Sequence, residues 1–474
     1  MNTALTRNRL RTALSGWRRR SIYLGIIAAL GLIGQRAPIS AQQANPQDAE
    51  SMGREVVTQL AARHFSEVEL HFDAPMQAAL PQEKLAAVWV SLLGQAGAFH
   101  RIVRSEVTEQ QGLRVAIVHC EFEHAALDAK IAMNAQGQVS GLRFVPAAPQ
   151  SGQPVSWSAP SYANPAEFHE REVTVVDGQW KLPGMLTLPN GDGPFPAIVM
   201  VHGSGPEDQD ETIGPNKPFK DLAWGLASHK IAVLRYTKRT KQYGAPSGSI
   251  DAYTVKDETI DDADAAVALL AKFPEIDPHH VYVLGHSLGG LLAPRIAAGD
   301  GQVAGIIIAA GTARPLEQVI VEQLKYLANL HGEANEESRK QIAAAEQAAI
   351  VIEDPALKPG STVNLLGAKI PASYFLDLRS YHPAETVKKL KVPILVLQGG
   401  RDYQVTKQDY DLWKAALAKD PLASFRFYPD LTHLFMTGTG PGPGSPSDYA
   451  VPEHVSTQVI QDIAQWVHGE SHAK

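Results

Sequence analysis

From about residue 170 onward the chain alternates short, almost wholly apolar runs with longer segments whose apolar residues recur every three or four positions. The runs are "FPAIVMVHG", "KIAVLRY", "HVYVLGHS", "VAGIIIAAG" and "VPILVLQGG". A strand that is apolar on both faces has no solvated side, so it belongs in a parallel sheet covered by helices above and below. "FKDLAWGLASH", "DETIDDADAAVALLAKF" and "LLAPRIAAG" supply helical periodicity between the runs. "EVTVVDG" and "KLPGMLTLP" read as an antiparallel pair that opens the unit. The pattern predicts an α/β fold over 166–470, a doubly wound, mostly parallel sheet. In such sheets chemistry gathers at the carboxyl ends of the strands.

The periodicity before residue 146 is different. "AESMGREVVTQLAARHF" and "PQEKLAAVWVSLLGQAG" are helical in spacing, and residues 46–100 read as helical. "LRVAIVHCEFEH" and "LDAKIAMNAQGQVSGLRFV" alternate as hairpin strands do, around the turn "NAQGQ". This predicts a small α+β domain over 46–145. The stretch 146–165, rich in Pro, Ser, Gly and Ala and without periodicity, reads as a linker. Between Gly311 and Lys391 lie about eighty residues beyond what a bare doubly wound sheet needs. They predict a helical cap insertion over about 312–390, lying across the strand ends and giving an apolar pocket. Tyr374, Phe375 and Tyr381 are candidate pocket liners, with plain cap core as the alternative.

Composition narrows the function classes. With 44% hydrophobic and 20% charged residues the chain is globular. One cysteine, Cys120, excludes an intrachain disulfide framework, and no zinc-like spacing is present. His279-His280 reads as a loop pair after Pro278, and His64, His71 and His119 are scattered. Residues 1–41 carry seven arginines and no acidic residue, an apolar run of fourteen ("SIYLGIIAALGLIG") and a small residue, Ala41. That is the layout of a secretory signal peptide, too short for a membrane span, with an uncleaved anchor as the alternative. The predicted location is periplasmic or secreted, with no membrane span after cleavage. Without the leader, 36 basic residues face 50 acidic ones, a net of −14. A chain that acidic has no general attraction for nucleic acid.

Four features at strand ends carry candidate chemistry. Gly285-His286-Ser287-Leu288-Gly289 follows "VYVL" directly and is the G-x-S-x-G pattern of a nucleophile elbow. His202-Gly203-Ser204-Gly205 follows "IVMV". Acyl transfer needs two backbone N–H groups aimed at the developing oxyanion. Leu288 and Ser204 are the candidate donors, with Gly205 an alternative for the second. Asp402 lies just past "ILVLQGG", and His433 follows the short strand Ser424–Tyr428. The chain order Ser287, Asp402, His433 suits a triad in which the acid orients the imidazole that takes the serine proton. Asp430 is a rival acid, three residues from His433 on the same loop. Arg235, Tyr236 and Arg239 either touch substrate or pair with the carboxylates of "DETIDD".

On these motifs residues 170–468 resemble the α/β-hydrolase superfamily, specifically bacterial carboxylesterases near its dienelactone hydrolase and serine-aminopeptidase-like branches. "HGSGPEDQDETIGPNKPFKDLAWGLASHKIAVLRYTKRT" looks very much like the loop–helix–strand segment of such carboxylesterases from thermophilic and soil bacteria. The resemblance implies Ser287 as nucleophile, His433 as base and Asp402 as its orienter, acting on a small-molecule ester through an acyl-enzyme with no cofactor. Dienelactone hydrolases use cysteine where this chain has Ser287, so a lactone substrate is not implied. The N-terminal segment resembles a small, nuclear-transport-factor-like domain of unknown function that precedes some bacterial hydrolases. A serine peptidase of the same fold and a non-catalytic binding module are the competing classes. The first usually brings a gating domain, and the second would be expected to lack a triad member.

Overall fold

The computed structural model describes residues 46–110, 113–122, 126–147, 157–244, 253–299, 301–330, 332, 334–439 and 442–469. The leader at 1–41 lies outside the described residues. The chain divides into two compact units, Met1–Gln150 and Ser151–Lys474.

The first unit holds helices α1 (Pro46–Ala61), α2 (Phe65–Leu70), α3 (Ala74–Ala79) and α4 (Gln82–Ala96), then strands β1 (Phe99–Gln110), β2 (Leu113–Phe122), β3 (Ala126–Met133) and β4 (Val139–Pro146). The strands form an antiparallel sheet in sequence order. On β2, alternate residues Ala116, Val118, Cys120 and Phe122 join a core with Val56 and Leu60 of α1 and Trp89 of α4. The Trp89 ring lies 5.7 Å from Phe144 and 6.1 Å from Phe122. The predicted helices and the turn at Gly137 (φ +79°) are present, while β1 begins at Phe99, at the edge of the stretch that reads as helical.

The second unit opens with β5 (Phe168–Asp177), β6 (Trp180–Pro189), β7 (Phe195–Val201), α5 (Pro218–Ser228), β8 (Ala232–Tyr236) and α6 (Arg239–Tyr243). A π-turn at Lys256–Ile260 leads into α7 (Asp261–Leu270), β9 (Ile276–His286), α8 (Leu288–Gly299) and β10 (Val303–Ala309). The insertion holds α9 (Leu316–Asn329), α10 (Glu336–Glu353), the hairpin β11 (Thr362–Leu365) and β12 (Ala368–Pro371), α11 (Ala372–Ser380) and α12 (Pro383–Val387). The fold closes with β13 (Ile394–Gly399), α13 (Lys407–Ala416), β14 (Ala423–Tyr428) and α14 (Thr457–Val467).

The eight strands run β14-β13-β10-β9-β7-β8-β6-β5. The six from β14 to β8 are parallel, and β6 and β5 are antiparallel. Double-sided burial is visible residue by residue. Val199, Val283 and Ile308 point into one core, and their neighbours Met200, Leu284 and Ile307 into the other. Each such fully buried side chain contributes roughly 1.5–3 kcal/mol of transfer free energy.

The linker is shorter than composition predicts. Pro146 ends β4, and the stretch from Trp157 is docked on the second unit. Trp157 donates from Nε1 to Asp221 Oδ1 at 2.7 Å, and its ring stands perpendicular to Trp224 at 4.8 Å. Asn164 N bonds the Ser228 hydroxyl, and Tyr162 packs on the core. The prolines and serines of this segment hide the fact that two aromatic residues anchor it. Of the described residues after His433, Gly444 donates from N to the Arg401 carbonyl and Thr439 from N to Asp448.

Candidate active site

Strand β9 runs out at His286, and Ser287 takes φ +55° before α8 begins. A non-glycine residue in the left-handed region costs of order 1–3 kcal/mol and persists only where the surroundings over-determine it. Here they do. Ser287 N donates to the Ala309 carbonyl at 3.0 Å, and its own carbonyl accepts from Leu291 N at 3.0 Å. A Cβ on Gly285 would stand 2.0 Å from the Gly289 carbonyl oxygen, and one on Gly289 would stand 2.2 Å from that of Val201. Both glycines of the motif are therefore demanded by backbone contact.

The acid and the base come from loops after β13 and β14. Asp402 Oδ1 accepts from the N–H groups of Gln404 (2.8 Å) and Val405 (2.9 Å). Its Oδ2 accepts from His433 Nδ1 at 2.7 Å and from Gln398 Nε2 at 3.3 Å. His433 and Asp402 are both buried. The two loops touch backbone to backbone, since a Cβ on Gly399 would meet the Leu431 carbonyl oxygen at 2.5 Å. The rival Asp430 is exposed on the same loop. Its position points it to solvent, and Asp402 makes the contact.

The loop after β7 lies against the elbow. A Cβ on Gly203 would be 3.7 Å from Ser287 Oγ. Ser204 is exposed there and Leu288 is buried at the start of α8, where the first backbone N–H groups of a helix have no partner within it. His202 is buried between Phe219 and Tyr236, and its Nε2–H donates to the Asp208 carbonyl at 3.0 Å. Burial pushes its pKa down to about 4, so it is a neutral structural imidazole. Glu207, nearer the surface, is pushed up to about 7 by burial and by the neighbouring Glu211.

Two further residues enter that spacing does not single out. Glu211 (φ +51°) is fully buried; its Oε1 accepts from Gly203 N at 2.8 Å, and its Oε2 lies 2.9 Å from His286 Nδ1. His286 Nε2 donates to the His433 carbonyl at 2.9 Å, with the two rings 4.6 Å apart. Burial works against the charge of each, yet the carboxylate holds His286 above its ordinary pKa and the imidazolium holds Glu211 below its own. Glu211 stands in a loop full of acidic residues, and His286 fills an unspecified position of a motif. Only burial distinguishes them.

The remaining candidates sort by their partners. Arg239 pairs with Asp262 (Nε to Oδ2, 3.2 Å) and Asp177, as the carboxylate reading predicts. Arg235 pairs instead with Asp210 and Glu170, outside "DETIDD". Tyr236 is core. Tyr374 and Phe375 are buried in the core of the second unit, while Tyr381 lines a cavity of about 440 Å³ together with Leu291, Pro315, Leu316 and Leu378. Neither Ser287 nor His433 lines that cavity. His279 and His280 sit on β9, exposed, with His280 bonded to Asp277, and His119 is buried against Asp128 at 2.6 Å. No group of three or more potential metal ligands occurs among the described residues, and none of their helices is long and apolar enough to cross a membrane.

The sequence profile of the alpha/beta hydrolase family matches residues 198–441, and that of a protein family of unknown function (DUF3887) matches residues 53–142. Esterase EstD of Thermotoga maritima is 38% identical over 411 residues, covering 87% of this chain and 93% of that protein. The 2,6-dihydropseudooxynicotine hydrolase of Paenarthrobacter nicotinovorans is 28% identical over 233 residues, 48% of this chain and 58% of the relative. Among solved structures, Est1E from Butyrivibrio proteoclasticus superposes with a TM-score of 0.41 at 16% identity, covering 64% of this chain and 99% of its own.

Proposed function

The chain belongs to the alpha/beta hydrolase family, and from that premise we propose an exported serine carboxylesterase working through Ser287, His433 and Asp402. Esterase activity accords with the name of the relative that it matches over 87% of its length. The finer reading rests on one observation above the others: His433 Nδ1 meets buried Asp402 Oδ2 at 2.7 Å, beside an elbow that holds Ser287 at φ +55°.

In this reading Ser287 Oγ attacks the ester carbonyl while His433 Nε2 takes its proton. Asp402 holds the imidazole in the tautomer that leaves Nε2 free and stabilises the cation that forms. The tetrahedral oxyanion takes hydrogen bonds from the N–H groups of Ser204 and Leu288. His433 then returns its proton to the departing alkoxide, leaving an acyl-serine. Water, deprotonated by the same imidazole, attacks the acyl carbonyl, and as the acid departs His433 returns that proton to Ser287 Oγ. Every proton and every charge in this sequence is handled by a side chain or a backbone N–H of the chain, so it asks for no cofactor. The substrates proposed are esters of small to medium acyl length. Export is proposed on the arginine-rich leader and the fourteen-residue apolar run at 21–34.

Replacing Ser287 by Ala tests the reading. Turnover of p-nitrophenyl esters and labelling by a fluorophosphonate should both vanish, with the melting temperature close to wild type, since alanine keeps a Cβ at the same left-handed position. Equal turnover in the variant and the wild type would sink it. Running the wild type on an aminoacyl anilide panel beside the ester series separates the peptidase alternative, which requires substantial serine-dependent turnover of the anilides where an esterase gives almost none.

A further inference from the structure

Lys238 stands two residues past the end of β8 and is 2% exposed. A lysine is almost never buried that far unless its ammonium is paired. Its Nζ lies 3.3 Å from Glu258 Oε1, and the other oxygen of Glu258 accepts from the Tyr374 hydroxyl at 2.7 Å. Glu258 belongs to the π-turn at Lys256–Ile260, an irregularity that occurs often at functional sites. The ammonium spends a second donor on a backbone carbonyl, that of Gly203, at 2.9 Å.

That carbonyl is not an arbitrary one. The C=O of Gly203 and the N–H of Ser204 belong to the same peptide group. A trans peptide is planar, with C=O and N–H pointing in opposite directions. Drawing the Gly203 oxygen toward Lys238 therefore directs the Ser204 N–H away from Lys238. The preceding N–H, that of Gly203, is already committed to Glu211 at 2.8 Å. That leaves the N–H groups of Ser204 and Gly205 as the loop's candidate donors, and the peptide that carries the first is gripped from its carbonyl side by a buried cation. A charged donor makes a hydrogen bond roughly twice as strong as a neutral one. It also polarises the amide, which makes the N–H at the other end a better donor.

We propose that Lys238 is a positioning residue for the oxyanion hole, orienting and polarising the Gly203–Ser204 peptide so that the Ser204 N–H is set before substrate arrives. The proposal rests on the serine esterase reading given above. Through Glu258 and Tyr374 it also ties the hole to α11, so the peptide is braced from a second element of the unit.

Lys238→Met keeps the packing but strands Glu258 in the interior, so its failure to fold would be uninformative by itself. The test is therefore Lys238→Met together with Glu258→Gln, which removes both charges and leaves Tyr374 an acceptor. Active serines are counted by complete reaction with a fluorophosphonate, and kcat is given per titrated serine. We expect a melting temperature near wild type, kcat lowered about ten- to hundredfold, less than the roughly hundred- to thousandfold lost when an oxyanion donor is removed outright, and KM little changed. A trifluoromethyl ketone, whose serine adduct bears the oxyanion, should bind more weakly by the same factor as kcat/KM falls. A folded double variant with wild-type kcat per titrated serine, or with the whole loss in KM, overturns the proposal alone. Turnover persisting in Ser287→Ala would overturn the esterase reading and this proposal with it.

Discussion

Nε2 of His286 donates to the main-chain carbonyl of His433 at 2.9 Å, so the residue before the candidate nucleophile holds the backbone of the candidate base. The other nitrogen of His286 faces Glu211, whose second oxygen holds Gly203 of the loop after β7. One buried ion pair therefore joins three strand-end loops. Breaking such a pair by removing one partner costs about 3–5 kcal/mol, because the remaining charge has no compensation.

The pair has a pH signature whose sign follows from its shifts. His286 is held above its ordinary 6.5, so the folded state keeps a proton that the unfolded chain releases, and this contribution is lost as pH rises through the elevated value. Glu211 is held below its ordinary 4.5, so its contribution is present above 4.5 and lost as pH falls through the depressed value. The stability advantage of wild type over Glu211→Gln should be largest between pH 4.5 and 6.5 and shrink on either side. Urea midpoints for both proteins across pH 3 to 9 check this (roughly the span between the carboxylate and thiol ranges). A difference independent of pH would refute the ion pair.

Asp402 and Asp430 can be told apart by function. Asp402→Asn removes the carboxylate that His433 Nδ1 touches and should cost about four orders of magnitude in kcat, as wrong-tautomer substitutions do, with a residual rate from the oxyanion donors. Asp430→Asn changes an exposed side chain and should be close to wild type in both kcat and melting temperature. Wild-type turnover in Asp402→Asn with loss in Asp430→Asn would reverse the assignment.

All candidate chemistry lies between His202 and His433, inside the second unit, which has its own two-sided core. A chain from Ser151 to Lys474 should fold alone and turn over a small activated ester within a few-fold of the full chain. Starting at Ser161 instead removes Trp157 and with it one donor to buried Asp221. That shorter chain should be less stable by about 1–3 kcal/mol, the cost of a buried polar group left short of a partner. Comparing the melting temperatures and kcat of the two chains decides it. A hundredfold loss of turnover in a folded Ser151 chain would mean that the first unit completes the site.

Mass spectrometry of protein taken from the native cell envelope tests export. The expected N-terminus is near Gln42, after the small residue Ala41. An intact Met1 in the membrane pellet would favour the uncleaved anchor, and an intact Met1 in the cytosol would remove both versions.

Local pattern by itself determined the parallel sheet, the small antiparallel-sheet domain before it and the placing of Ser287, Asp402 and His433 just past strand ends. Each of these depends on interactions close in sequence: the period of burial, the glycines that a sharp turn requires, the loops that leave a strand. Tertiary structure alone decided the rest. Arg235 finds Asp210 and Glu170 because the folded sheet sets β7, with the loop that follows it, next to β8 on one side and β5 one strand beyond β6 on the other. Trp157 turns a linker composition into an anchored segment because Asp221 and Trp224 wait on α5. Glu211, His286 and Lys238 look, in sequence, like any surface charge or spacer. Their meaning comes from desolvation, which makes a charge depend on the partner opposite it, and that partner lies 20 to 75 residues away along the chain.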